Sequence, residues 1–369
     1  MTIKVADANN QLSISLLKQL SMSDGDANHV FSPLSISTAF GMLHLGARDE
    51  SGKELRQTMG YEYAGLDDES VKKAFKEVIR QINDECNSNQ FNLANQVLTQ
   101  NHYPLLDQFK LDLKDYYNAE IKSVDFVKEG AKVAEEVNQW VSKQTGNKIE
   151  KLFDEPIDPM TRLILLNAVY FKGMWKLKFS TKDTSDGDFL SKGSVPTKVK
   201  MMVLKDKKWN YVKDEALDAE ILELPYIGDE LSMYIILPTE KTGLDKLKST
   251  LTLENLNQAI SGMHTTSIDI FMPKFKVEHK YSLVSPFQEL GLKKIFSTGA
   301  DLSGINGQKN LFVSEVVHKA VIEVNEEGTE AAAATGIQIP PGYPLELRVD
   351  HPFIFLIKDK RDGMISFIG

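Results

Sequence analysis

The run LILLNAVYF, Leu163 to Phe171, constrains this chain more than any other segment. Only Asn167 interrupts its apolar character. A half-exposed strand alternates polar and apolar residues with period two, so a continuous apolar run predicts a strand buried on both faces. It is too short to span a bilayer, which needs about 20 residues. The fold must therefore supply covering layers on both sides of this strand. It must also bring partners to Asn167, because a buried carboxamide left unpaired costs about 1–3 kcal/mol.

Neighbouring segments say what those layers are. Ser32-Pro33 is a helix-start pair, with serine as cap and proline at the first helical position, and Ile36, Phe40, Leu43 and Ala47 follow on one face. Val133, Val137, Trp140 and Val141 form a second helical stripe, which Gly146 is placed to end. From about residue 160 strands dominate. LSMYIILP (231–238) is apolar up to its proline, whereas KFKVEHKY and LELRV alternate and so predict one wet face each. A length of 369 residues alone permits two or three domains. Helices early, strands late and no linker between them predict instead one α+β domain, 1–369, built on large sheets.

Composition narrows the function classes. The chain has 43 basic and 52 acidic residues, a net charge of −9, and no basic block, so nucleic acid is not an expected partner. Its one cysteine, Cys86, excludes an intramolecular disulfide. The N-terminal MTIKVADANNQL lacks a signal-peptide pattern, and no Asn-x-Ser/Thr sequon occurs. The expected location is cytoplasmic, with secretion second if a leader has been removed; no membrane contact is expected. G-x-S-x-G, H-E-x-x-H, C-x-x-C and both glycine-rich nucleotide motifs are missing, and the seven histidines are scattered. No cofactor or metal site and no enzyme activity are expected.

NEEGTEAAAATGIQIPPGYP, starting at Asn325, fits none of these elements. Its alanines suit a helix, but Gly328, Thr335 and Gly336 do not. As a strand, Thr329, Ala331, Ala333, Thr335, Ile337 and Ile339 share one uncharged face. Glu330, Ala332, Ala334, Gly336 and Gln338 share the other, and Pro340-Pro341 stops the ladder. Small residues on the leading face are what a segment needs to slide between two existing strands. At ~3.3 Å per residue the segment from Thr329 to Ile339 spans roughly 36 Å of sheet. A surface loop rich in alanine has the same composition.

EVNEEGTEAAAAT, Glu323 to Thr335, resembles the hinge of the reactive-centre loop in serpins. VFSPLSISTAFGMLHLGA (30–47), VNQWVSKQTGNKIEKL (137–152), LILLNAVYFKGMWKLKF (163–179) and ELPYIGDELSMYIILP (223–238) are similar to other family signatures. So are FKVEHKYSLVSPFQELGLKKIF (275–296) and VDHPFIFLI, in order along the chain. The resemblance implies one domain of about nine helices and three sheets with an exposed loop at about 326–348. It further implies a suicide-substrate inhibitor: a serine protease attacks the loop, the cleaved loop inserts into the large sheet, and the acyl-enzyme is trapped. The implied partner is that protease, held covalently by a monomeric inhibitor. The hinge would be Gly328, Thr329, Glu330, Ala331, Ala332, Ala333, Ala334 and Thr335. Ser32, Ser35, Asn167 and His318 would form the shutter where the sheet parts, and Trp175 the breach where insertion begins. Asp49 and Ser51 replace the family's usual glycine and threonine, which reads as two surface-turn changes. The chain ends at Gly369, short of the family's usual final residues.

The reactive bond has two readings. Counting from hinge Gly328 puts it at Gly342–Tyr343; counting back from Pro352 puts it at Pro341–Gly342. The first is preferred because hinge spacing controls insertion depth. No Lys or Arg lies between Thr329 and Leu347, which disfavours trypsin-like targets and leans toward elastase- or subtilisin-like ones. The PPGYP centre keeps a non-inhibitory serpin (chaperone, carrier or storage protein) open, as well as a cross-class inhibitor of papain-like cysteine proteases. Lys72, Lys76 and Arg80 form a helical stripe where some serpins bind heparin, but Glu69, Glu77, Asp84 and Glu85 make a solvated mixed-charge face the expectation.

Overall fold

The computed structural model describes residues 2–23, 27–82, 89–119, 121–327 and 344–369. Helices α1 (Thr2–Ser23), α2 (Pro33–His44), α3 (Asp49–Thr58) and α4 (Asp68–Ile82) come first. Strand β1 (Gln90–Gln100), α5 (Asp107–Tyr117), β2 (Ile121–Val124) and α6 (Phe126–Gln144) follow. Next are β3 (Leu163–Lys172), β4 (Ser185–Ser191), β5 (Val195–Asp214), β6 (Ala219–Pro225) and β7 (Leu231–Pro238). Helices α7 (Leu244–Thr250) and α8 (Leu253–Ser261) lead into β8 (His264–Pro273) and β9 (Phe275–Ser282). The chain closes with α9 (Val284–Glu289), a 3₁₀ turn at Lys294–Phe296, α10 (Ser303–Asn306) and β10 (Glu315–Val324). Last come β11 (Leu345–Arg348), β12 (Ile354–Asp359) and β13 (Ile365–Ile368).

The five-stranded sheet has the order β2-β1-β3-β10-β9. Its central β3 is the Leu163–Phe171 run with one residue added, and every position but the last is buried. Ile164, Leu166, Ala168 and Tyr170 pack beneath the Val133, Val137 and Val141 stripe of α6. Leu163 and Leu165 face the core shared with α2, whose residues are all buried, while Val169 and Phe171 join the aromatic cluster of the second sheet. A strand covered on both faces is thus what the apolar run produces. Ser32 caps α2 by accepting the Ser35 amide at 3.1 Å. The helix stops at His44, so Ala47 lies beyond it: a Cβ on Gly46 would come 2.2 Å from Ile305 Cγ1, and the chain turns there.

The second sheet runs β11-β8-β5-β6-β7-β12-β13, with β4 added on β5. The three sheets the resemblance implies are joined here into two hydrogen-bonded sets. Strand β5 is 20 residues long and pairs with β4 at one end and β6 at the other, so two sheets share one hydrogen-bonded set. A register shift between Leu204 and Lys207 bends it, as a bulge does. Among the described residues there are ten α-helices, in keeping with the expected count of about nine.

Asp49 and Ser51 are not simple surface-turn changes. Asp49 adopts φ +46°, a left-handed conformation easier for glycine, and its carboxylate meets Lys309 Nζ at 2.9 Å. Ser51 is buried and its hydroxyl accepts the Asp301 amide at 2.9 Å. The same Lys309 contacts Asp301 at 2.6 Å, tying the start of α3 to the segment before α10.

Candidate functional site

The site is the seam between β3 and β10. The two strands pair directly and in parallel over eight positions, Glu315↔Ile164 through Ile322↔Phe171. No strand stands between them among the described residues.

Across the seam the register builds a polar row inside an apolar sheet. Asn95 faces Asn167, Asn167 faces His318, and His318 faces Tyr281. Asn167 Nδ2 donates to the Ser35 carbonyl at 2.8 Å and also contacts the Ser35 hydroxyl and Asn95 Oδ1. His318 Nε2 accepts the Ser32 amide at 3.1 Å. Nε2 therefore carries no proton, so Nδ1 does, and it donates to Asn167 Oδ1. Complete burial, with a smaller contribution from His279, holds the His318 imidazole down to about 3, so it is neutral. Ser32 Oγ donates to the Ser366 carbonyl at 2.6 Å, which links the row to β13 of the second sheet. All four residues expected at the shutter are thus brought together. Asn95 and Ser366 belong to the same network and were missed, since nothing in either local sequence marks them.

One end of the seam is closed by Trp175. Its ring stacks on Tyr226 at 4.5 Å and 12°, with Phe179 edge-on at 6.1 Å. Gly173 makes this packing possible: a Cβ there would lie 2.2 Å from Tyr226 Cε1. Trp175 Nε1 donates to the Asn325 carbonyl at 2.7 Å, and its amide donates to the Glu327 carbonyl at 3.0 Å. The segment leaving β10 is therefore pinned at the point expected for the breach.

Glu326 and Glu327 complete that attachment. The Glu326 carboxylate is buried, with Lys274 Nζ at 2.8 Å and the Thr184 hydroxyl donating at 3.0 Å. Burial pushes its carboxyl up, but the bonds from Lys274, its own backbone and Thr184 outweigh that and hold it below the ordinary range. Lys172 Nζ reaches Glu327 at 2.6 Å and Glu323 at 3.7 Å. Lys172, Thr184 and Lys274 were not foreseen. The one sequence signal was a pair of acids in an otherwise small-residue stretch, which calls for cations without saying which.

The expected hinge Gly328–Thr335 and both readings of the reactive bond, at Pro341, Gly342 and Tyr343, lie outside the described residues. Of the segment 326–348, Leu345–Arg348 is β11, paired in parallel with β8. On α4, Lys72 meets Glu69 at 2.7 Å and Arg80 meets Glu77 at 2.6 Å, while Lys72 and Lys76 sit over the Tyr116 ring at 4.8 and 5.5 Å. Among the described residues no group of three His, Cys, Asp or Glu side chains is arranged to hold a metal, and no helix is long and apolar enough to cross a membrane.

Comparison with known proteins agrees with this geometry. A family profile described as Serpin (serine protease inhibitor) matches residues 7–369. Iripin-8 of Ixodes ricinus is 44% identical, over 99% of this chain and 92% of its own. Leukocyte elastase inhibitor A of Mus musculus is 38% identical, over 99% and 98% respectively. The crystal structure of uncleaved ovalbumin superposes with a TM-score of 0.91 at 27% identity, covering 99% of this chain and 98% of that one. A closed β3–β10 seam, a buried polar network beneath it and a family match over nearly the whole chain lead to one conclusion: this protein belongs to the serpin (serine protease inhibitor) family.

Proposed function

We propose that this protein is a suicide-substrate inhibitor of serine proteases that traps its target by inserting the cleaved loop between β3 and β10. The observation carrying this reading is the parallel pairing of those two strands. A segment that leaves β10 and doubles back between them runs antiparallel to both. One slanted parallel ladder would then be exchanged for two antiparallel ones, which are slightly more stable per residue. Each added ladder bond is worth about 1 kcal/mol net, so a strand running from Thr329 to Ile339 makes insertion strongly downhill.

The chemistry begins at the loop. The protease serine Oγ bonds to the carbonyl carbon of Gly342, the Gly342–Tyr343 C–N bond breaks, and the proton goes to the new Tyr343 amine. Gly342 remains as an ester on the protease; Pro341–Gly342 is the alternative bond. The freed hinge, Gly328 to Thr335, enters at the Trp175 end and separates the shutter, and the protease is carried along before water can hydrolyse the ester. A monomeric inhibitor with no cofactor suffices for these steps.

The absence of Lys and Arg from 330–346 supports an elastase- or subtilisin-like target. A relative named Leukocyte elastase inhibitor supports the same direction. The single cysteine and lack of sequons support an intracellular compartment. The PPGYP centre favours a second reading, a serpin that does not inhibit, because proline beside the bond resists cleavage.

Incubation with elastase-, chymotrypsin-, subtilisin- and papain-like proteases tests the proposal. An SDS-stable complex with a serine protease is the expected result. Loop cleavage with no complex and no gain in thermal stability would sink it in favour of the second reading, and complexes with only the papain-like enzyme would reassign the target class.

A further inference from the structure

We propose that Lys172 is the clasp that holds the β3–β10 seam shut at its Trp175 end, and that its release from Glu323 and Glu327 sets the rate at which a strand enters. The proposal rests on the inhibitor reading above and deepens it, because it names a side chain that insertion must displace.

Lys172 is the last residue of β3, and Glu323 lies one step past the final β3–β10 pair, Ile322↔Phe171. The two therefore share a face and stand opposite each other across the seam. Lys172 Nζ lies 3.7 Å from Glu323 Oε1 and 2.6 Å from Glu327, which follows β10. Tyr170, two residues earlier on the same face of β3, donates its hydroxyl to the other oxygen of Glu323 at 3.3 Å. Asn325 braces the two acids from the β10 side. Its side-chain nitrogen donates to Glu323 Oε1 at 3.0 Å, and its side-chain oxygen accepts the Glu327 amide at 3.0 Å. The Lys172 side chain is only 18% exposed, so its pairs are screened less than those of a free surface lysine. The bond to Glu327 holds the ammonium above its ordinary value, with burial opposing and Glu323 assisting.

Strand order decides which attachments an incoming strand must break. Strand β9 flanks β10 on the side away from β3. The Glu326–Lys274 pair lies on that side, since Lys274 directly precedes β9, and it can travel with β10 when the seam opens. Lys172 and Tyr170 belong to β3 and cannot. A strand placed between β3 and β10 adds about 4.8 Å to their separation, which carries Glu323 out of ion-pair reach of Lys172. Glu323 keeps a cation beside it, because Lys276 is its register partner on β9. Lys172 has no such substitute on β1, where it stands opposite Gln90. The electrostatic cost of opening therefore falls on one lysine.

The test is the rate at which a blocked peptide of the sequence Thr329–Ile339 enters the uncleaved protein, followed as the gain in thermal stability of samples withdrawn over time. Lys172→Met and the pair Glu323→Gln with Glu327→Gln are each expected to speed entry about fivefold. Combining all three should give no more than either alone, since both remove the same clasp. Lys172→Arg, which keeps the charge, should return the rate to within about twofold of wild type. Glu327→Gln alone, at the most exposed of the three groups, gives the same comparison should a larger change fail to fold. Effects that multiply in the combined variant, or a Lys172→Arg rate as fast as that of Lys172→Met, would overturn the clasp in favour of general destabilisation. Equal rates in every variant would also overturn it and leave the inhibitor reading standing. If neither the peptide nor cleavage of the wild-type loop raises the thermal midpoint, insertion itself fails, and the inhibitor reading and the clasp fall together.

Discussion

Asn167 on β3 and His318 on β10 stand opposite each other in the parallel register, and the imidazole Nδ1–H of one donates to the side-chain oxygen of the other. The bond joins two strands that must part if a third is to enter. Both residues are also tied to α2, through the Ser35 carbonyl at 2.8 Å and the Ser32 amide at 3.1 Å. The closed seam is therefore held to the helix beneath it as well as to itself.

Removing one partner should be costly. His318→Ala leaves the buried Ser32 amide and Asn167 oxygen without partners, and a loss of about 2–4 kcal/mol is expected. Equilibrium unfolding in urea measures it. A loss below about 0.5 kcal/mol would show that the network does not hold the seam.

Acid should weaken the same network. The His318 imidazole is held down to about 3 by burial and His279, and that of His44 to about 4 by burial, with Asp68 opposing and Arg56 and Arg48 assisting. The ordinary value is about 6.5, so below that pH the unfolded chain binds protons that the folded one refuses. Stability is therefore complete above pH 6.5 and falls as the pH drops toward 4, by about 1.4 kcal/mol per unit for each histidine. Urea midpoints across this range should show a shallower slope for His318→Gln than for wild type. Parallel slopes would contradict the assignment of His318 as a buried neutral group.

At the other end of the seam, Glu326 and Lys274 meet at 2.8 Å with the carboxylate buried and the ammonium partly exposed. A double-mutant cycle with Glu326→Ala and Lys274→Met should give a coupling of about 1 kcal/mol. Hydrogen exchange at the end of β10 should rise in both single variants. A coupling near zero, with exchange unchanged, would mean the pair does not anchor this segment.

On the proposed insertion, strand alternation would put Thr329 on the face that becomes buried. Thr329→Arg would carry a charge into that face, which a protein interior does not accept without a partner. The variant is expected to be cleaved as a substrate with its SDS-stable complex nearly abolished. Full inhibition on denaturing gels would show that the two faces of the hinge have been assigned the wrong way round.

Much of the fold is written in periodicity. The unbroken apolar run at 163–171 already requires a strand covered on both sides, because no half-exposed strand tolerates it. Ser32-Pro33 marks the start of α2 through local backbone chemistry alone. The small-residue face from Thr329 to Ile339 is likewise a local property, and the ordered family signatures identify the architecture. Tertiary structure decided everything that depends on which distant segments become neighbours. That His318 falls opposite Asn167, that Asn95 and Ser366 join them, and that Lys274 neutralises Glu326 all follow from tertiary packing, which brings together residues as far apart as Ser32 and Ser366, 334 positions. A sequence specifies which side chains are available and which face each occupies; the partner each one meets is decided by long-range packing, where hydrogen bonds form only after the core has brought the strands together.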